Sequence, residues 1–360
     1  MDKKVHIELL RIIAMFLVMF NHTWIRGFTY FNSCVGTPWY WVYLFPSILV
    51  KIDVPIFFMI SGALLLKKEE TITDLYRKRV SKALIALILF SLISYIYLIV
   101  ADDVSMIYGG EPITNFDLIE FIKAVYHGSI TTQYWFLYRY IAFLLLLPLL
   151  RILVKHMKNV HYMYVVGLFL LVQCVNILQY AVSEGTLTYN YSFDLFILQD
   201  IIIFPLMGHF VENVMPEEKI NPSLFFKLCV ASFISVMVTC IMTWYSCTII
   251  DEWYESTCQT FFNNLIIIPT VTAYVGAIVL FRYHQFKEPF LKIITIAGST
   301  TFGIFLLEQI YRNETFEVYN FFAQYVNSFF ASVLWIACAF TLGILVTIIL
   351  KQIPVLKKIL

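Results

Sequence analysis

Three ionisable side chains interrupt an apolar run of helix length near the start of the chain: Glu8, Arg11 and His22, within residues 7–27. At about 100° per residue, the eleven-residue step from Arg11 to His22 returns to within about 20° of the same helix face, roughly 16 Å further along the axis. Met15 and Val18 lie between them on that stripe. The helix therefore presents a permanent cation near one end and an imidazole near the other. Guanidinium suits recognition of a phosphate or a polarised carbonyl, and imidazole can accept a proton near neutral pH. An arginine near a helix end also snorkels to headgroups, and a lone histidine is often a hydrogen-bonded packing residue. Ionisable groups inside membrane segments are costly and usually face the bundle interior, and two on one stripe favour function over packing. Arg11 has one further structural alternative, an ion pair with Glu8 three residues earlier.

The Arg11–His22 pair makes an R-x10-H pattern, with Glu8 as an acidic neighbour. Other segments accompany it in order: VPIFFMISGALLL at 54–66, WFL at 135–137 and STTFGIFLL at 299–307. Together these resemble the membrane acyltransferase 3 family, polytopic bacterial enzymes that decorate cell-envelope polymers, and the matches run over nearly the whole chain. Two positions depart from the family pattern. Gln133 and Tyr134 stand where a histidine is frequent before WFL, and Glu308 stands where the late helix commonly carries histidine.

The resemblance implies a membrane-bound acyltransferase moving an acyl group, acetyl above all, from cytoplasmic acyl-CoA to a hydroxyl of an envelope glycan or its lipid-linked precursor. Such a transfer needs a base for the hydroxyl proton, stabilisation of the oxyanion, and groups that bind the donor. His22 is the candidate base, Arg11 the donor-binding cation, and Glu308 a third candidate catalytic group in place of the family histidine. Glu8, Asp53, Ser61, Trp135 and Arg139 are candidate substrate-binding residues. Asn21 stands next to His22 but points about 100° away from it on a helix. Lys51 and Asp53 lie in a hydrophobic segment interrupted by Pro46 and Pro55, so the backbone there is expected to kink and the charges to face inward. For Ser61 and Gly62 close helix packing is favoured over chemistry. Arg77, Lys78 and Arg79 resemble the family's basic loop; donor phosphates or plain solvation explain them equally well. A carrier of small, amino-acid-like solutes is the alternative, since kinked helices with buried charges also suit alternating access.

The elements that must position these groups are legible in composition. The chain has 360 residues, 60% hydrophobic and 14% charged, with a mean hydropathy of +0.79, which implies an integral membrane protein. A net charge of +1 gives no sign of nucleic acid. Apolar runs long enough for a hydrocarbon core of roughly 30 Å fall near 7–27, 39–66, 81–101, 133–154, 160–181, 193–213, 222–245, 258–281, 293–311 and 323–350. The expected architecture is an all-α, polytopic membrane protein of about ten helices, a single domain over residues 1–360 with no soluble appendage. The first run is a retained helix and not a cleaved signal peptide. Residues 111–127 read as an amphipathic surface helix, with Phe116, Leu118, Ile119, Ile122 and Val125 on its apolar side.

Basic residues concentrate in alternate loops, densest around Lys67, Lys68, Arg77, Lys78 and Arg79, and the opposite loops carry acids such as Asp102, Asp103, Asp251, Glu252 and Glu255. The positive-inside rule puts both termini in the cytoplasm, with Arg11 near the inner face and His22 in the outer half; the resemblance implies that the membrane is a bacterial plasma membrane. The seven cysteines show no metal-ligand spacing, so no metal and no bound cofactor is expected, with acyl-CoA serving as donor substrate. Cys34, Cys247 and Cys258 lie toward the outer side, where a disulfide could form in an oxidising compartment.

Overall fold

A computed structural model describes residues 4–100, 115–128, 130–183, 195–248 and 265–360. The described residues are helical throughout their regular structure, with no strand among them. In chain order the helices are α1 (Val5–Asn21), α2 (Trp39–Val50), α3 (Asp53–Leu65), α4 (Ser81–Val100), α5 (Leu118–His127), α6 (Trp135–His156), α7 (Asn159–Val182) and α8 (Asp200–His209). They continue as α9 (Pro222–Thr248), α10 (Ile267–Tyr283), α11 (Glu288–Leu306), α12 (Glu308–Glu314), α13 (Phe316–Phe322), α14 (Ser328–Leu350) and α15 (Pro354–Ile359). A one-turn helix, Ile72–Leu75, and a π-helical turn, Tyr76–Val80, lead into α4.

Among the described residues, seven helical segments are long and apolar enough to cross a membrane, and Ile267–Tyr283 is a shorter apolar helix. The protein is an all-α, multi-pass membrane protein. Each of the ten apolar runs contains a helix. Its outer surface is greasy: on α7, Val160, Leu171, Val175, Leu178 and Val182 are all exposed, as a lipid-facing helix requires.

α1 sits at the centre, packed against α3, α10, α11 and α14. Its burial is correspondingly two-sided, with Leu10, Ala14, Met15, Met19 and Phe20 all inside. α3 and α8 cross closely because glycines meet backbone on both sides. A Cβ on Gly62 would lie 2.0 Å from the carbonyl oxygen of Pro205, and one on Gly208 would lie 1.9 Å from that of Met59. In lipid, where helices gain no hydrophobic drive from each other, such small-residue contacts allow the dispersion that holds a pair together. Gly62 therefore serves packing, as its sequence context suggested.

Three apolar runs are broken where the sequence reads as continuous. α1 stops at Asn21, with His22 as its C-cap at φ −82°, ψ 7°; Thr23 then closes the turn, its hydroxyl donating to the Phe20 carbonyl at 2.7 Å and accepting from Phe28 N at 2.9 Å. The 39–66 run divides at Lys51 and Ile52. Pro55 has no N–H for the carbonyl of Lys51, and its ring crowds that carbonyl. The 293–311 run divides at Leu307, φ −118° and ψ 15°. The freed carbonyl of Leu306 accepts a hydrogen bond from the Tyr134 hydroxyl at 2.7 Å.

The amphipathic helix is present as α5, capped by the Asp117 carboxylate, which accepts from Ile119 N and Glu120 N at 2.7 and 2.9 Å. Leu118, Ile119 and Ile122 are exposed while Phe121 and Ala124 are buried, so the apolar face seen in the sequence points away from the bundle. Residues 111–114 and the acids Asp102, Asp103, Asp251, Glu252 and Glu255 lie outside the described residues. Cys34 is a free thiol and Cys247 is buried; Cys258 lies outside the described residues.

Candidate active site

Arg11 and His22 line two different cavities. The first, about 370 Å³, is lined by Arg11, Ser61, Lys78, Arg79, Lys82 and Ser299, with an aromatic wall that includes Tyr140. Arg11 Nη1 donates to Glu8 Oε1 at 2.8 Å, so the ion pair suggested as its structural alternative exists. It does not use up the guanidinium, which still borders the cavity. Glu8 is buried, and a Cβ on Gly298 would fall 2.4 Å from its Oε2, so α11 closes directly over this carboxylate. The Ser61 hydroxyl donates to the Phe57 carbonyl at 2.8 Å and borders the same space.

The other cations at this cavity differ in how free they are. Lys78 pairs with Asp74 at 2.9 Å and Arg79 with Glu70 at 2.9 Å. Arg151 also donates to Glu70, at 2.8 Å. Burial works against the Glu70 charge, but the hydrogen bonds and charges of Arg79 and Arg151 outweigh it and hold the carboxyl down at about 2. Lys82, not singled out from sequence, has no carboxylate partner among the described residues. Its position one helical turn after Lys78 was the available signal.

The second cavity is small, about 20 Å³, and is lined by His22, Asn21, Asp53, Gln133 and Trp135 with Val18 and Val54. Asp53 is buried; its Oδ1 accepts from Val54 N at 2.6 Å and its Oδ2 from Asn21 Nδ2 at 3.5 Å. Asn21 Oδ1 in turn accepts from Lys51 Nζ at 3.1 Å, and Lys51 sits 4.5 Å over the Phe28 ring. Asn21 and His22 both border this cavity at the C-terminal end of α1, where His22 N still bonds to the Val18 carbonyl at 3.3 Å. Gln133, buried at the family's histidine position, brings an amide to the same space.

Behind His22 lies a carboxylate. Its Nδ1 is 3.4 Å from Glu308 Oε2, an approach longer than a well-formed hydrogen bond, and such contacts commonly tighten only in the reacting complex. Glu308 is wholly buried and is held from its other oxygen by Arg312 Nε at 2.9 Å. Arg312 Nη1 also donates to the His22 carbonyl at 3.0 Å. One guanidinium thus fixes the carboxylate and the backbone of the residue it faces. The break at Leu307 makes this possible, since Glu308 begins α12, where the helix dipole favours negative charge. Glu308 lines neither cavity. Arg312 was missed in the sequence, although its i+4 spacing from Glu308 was visible.

The sequence matches the family described as Acyltransferase domain (acyltransferase 3) over residues 5–352. The chain belongs to that family. No curated protein and no solved structure matches it. The protein is therefore a membrane acyltransferase, and the two cavities are read in that light. Of the acyltransferase's expected site residues, Arg11 and Ser61 line the larger cavity, with Glu8 bonded to Arg11, and His22, Asp53 and Trp135 line the smaller. Trp135 is half-exposed at the rim. Arg139 is exposed and lines neither cavity. Among the described residues no group of three His, Cys, Asp or Glu side chains is arranged to hold a metal.

Proposed function

We propose that this acyltransferase carries an acyl group, acetyl in the simplest case, from acyl-CoA to a hydroxyl of an envelope glycan or lipid-linked precursor in a bacterial plasma membrane. Both termini lie on the cytoplasmic side in this reading. One observation carries it: Arg11 and His22, on one helix, line a basic cavity and a small polar cavity that share a wall of Phe57, Phe136 and Phe305. A basic chamber suits an anionic donor entering from one side, and a chamber with a base suits a neutral acceptor entering from the other.

In the mechanism, Arg11 and Lys82 hold the anionic or carbonyl groups of acyl-CoA. His22 Nε2 takes the proton from the acceptor hydroxyl as that oxygen attacks the thioester carbonyl carbon. The resulting oxyanion is met by amide N–H groups at the cavity, Gln133 being the best sited. Collapse breaks the C–S bond, and the departing thiolate takes the proton from imidazolium, giving free CoA and the ester. Glu308 orients the ring through Nδ1 and stabilises the transient imidazolium, and Arg312 holds Glu308.

The test is mass spectrometry of envelope glycans from cells with and without the intact gene. A mass difference of one acyl group that disappears with the gene is expected; identical glycan and lipid-linked pools, with the protein present and inserted, would remove this acceptor class.

A further inference from the structure

The wall between the two cavities consists of rings from three helices: Phe57 from α3, Phe136 from α6 and Phe305 from α11. Phe136 is the middle ring, its centroid 5.8 Å from Phe57 and 5.4 Å from Phe305, the latter contact edge-on at 81°. Two of the rings are braced: Phe58 packs on Phe136 at 5.3 Å, and Tyr134 on Phe305 at 6.1 Å. Tyr134 is itself tied to the Leu306 carbonyl. Rings braced in this way yield little to an extra methylene.

Beyond the rings the space is about 20 Å³ against about 370 Å³ before them. A single water needs roughly 10–15 Å³ in this measure, so the His22 chamber has room for a group of about methyl size. Transfer requires the thioester carbonyl carbon to sit beside the oxygen that His22 deprotonates. The CoA chain then trails back between the rings into the larger cavity, and the acyl tail shares the small chamber with the acceptor oxygen. Its remaining walls include the buried Asp53 carboxylate and the Gln133 amide, which an apolar tail would leave unsolvated.

We infer that Phe57, Phe136 and Phe305 set the acyl-chain length, admitting acetyl to the His22 chamber and excluding longer chains. The inference rests on the acyl-CoA donor proposed above and adds the residues that choose among donors. A pocket distinguishes one methylene by about 10- to 200-fold, and two added methylenes meet the same rigid rings.

The experiment follows free thiol released from acetyl-, propionyl-, butyryl- and hexanoyl-CoA by membranes carrying the full chain and their own acceptors, with His22→Gln membranes as background. Wild type should favour acetyl-CoA over butyryl-CoA by at least about 10-fold in kcat/KM. Phe305→Ala and Phe136→Ala should raise the butyryl-to-acetyl ratio, whatever their absolute rates; Phe305→Leu, closer in volume, should raise it less. Equal use of all four donors by wild type overturns the length limit while leaving the donor reading intact. No thiol release from any of them overturns the donor reading, and this inference with it. An unchanged ratio in alanine variants that still turn over acetyl-CoA removes the three rings as the cause. If those variants do not insert, the wild-type series and Phe305→Leu still decide.

Discussion

Replacing Glu308 by Gln changes one atom type in a buried carboxylate and isolates the role assigned to it. Glutamine keeps the side chain's shape and an oxygen for Arg312 Nε, 2.9 Å away, but removes the charge that faces His22 Nδ1 at 3.4 Å. A hydrogen bond to a charged group contributes about 1.5–3 kcal/mol, and each 1.4 kcal/mol or so is tenfold. In the proposed mechanism the imidazolium forms during transfer, so the loss should fall on kcat, by about 10- to 150-fold. Because Glu308 borders neither cavity, KM for acetyl-CoA should stay within about twofold. The assay is initial-rate thiol release from acetyl-CoA in membranes, with size-exclusion and thermal melting of the purified variant to establish insertion and folding. Glu308→Asp, which restores charge at shorter reach, should recover part of the loss. A well-folded Glu308→Gln protein with wild-type kcat, or one impaired only in KM, would refute the positioning role.

Arg11→Lys keeps charge but loses the planar, multidentate donor, so it should weaken binding of a CoA analogue by about tenfold or more, whereas His22→Ala should leave that affinity nearly intact; isothermal titration of purified protein reads both, and the reverse pattern would exchange their assignments. Glu70, held at about 2 against an ordinary value of 4.5, has a folded-state pKa below its unfolded one, so its contribution to stability is fully present above about pH 5 and is lost as pH falls from about 4.5 toward 2. Thermal melting across that window should show a decline that Glu70→Gln reduces, and an unchanged slope in the variant would contradict the Arg79–Glu70–Arg151 account. Gly208→Ala places a methyl 1.9 Å from the Met59 carbonyl; overpacking of this kind costs typically 1–3 kcal/mol or more, so folded yield and Tm should both drop, and a neutral outcome would show that α3 and α8 separate easily.

Much of this was legible before any coordinates, for identifiable reasons. Apolar runs interrupted by few charges specify membrane helices almost on their own, because lipid offers no partner for an unpaired backbone group. Arg11 and His22 were legible because helical periodicity fixes their angular relation over three turns. What the one-dimensional pattern hid were the interruptions. The stop after Asn21 turns the chain away just beyond His22, at the small cavity that Asn21 and His22 share. The division at Lys51 brings Lys51 toward Asn21, and was half visible in Pro55. The break at Leu307 carries no proline or other local signal; it is stabilised by Tyr134, far away in sequence, through the Leu306 carbonyl. Without that break neither Glu308 nor Arg312 would be predicted to face His22. Arg139 shows the converse case: it was a candidate substrate-binding residue in the sequence, but it lies on an exposed face of α6.

The central claim is that His22 removes a proton during acyl transfer. Its most direct test is the rate of labelled acetyl transfer from acetyl-CoA into the envelope fraction by wild type and by His22→Gln, at equal amounts of correctly inserted protein and saturating donor. Loss of general-base assistance predicts a fall in turnover of roughly 10²- to 10⁴-fold with donor affinity retained. Transfer by His22→Gln at the wild-type rate would contradict it.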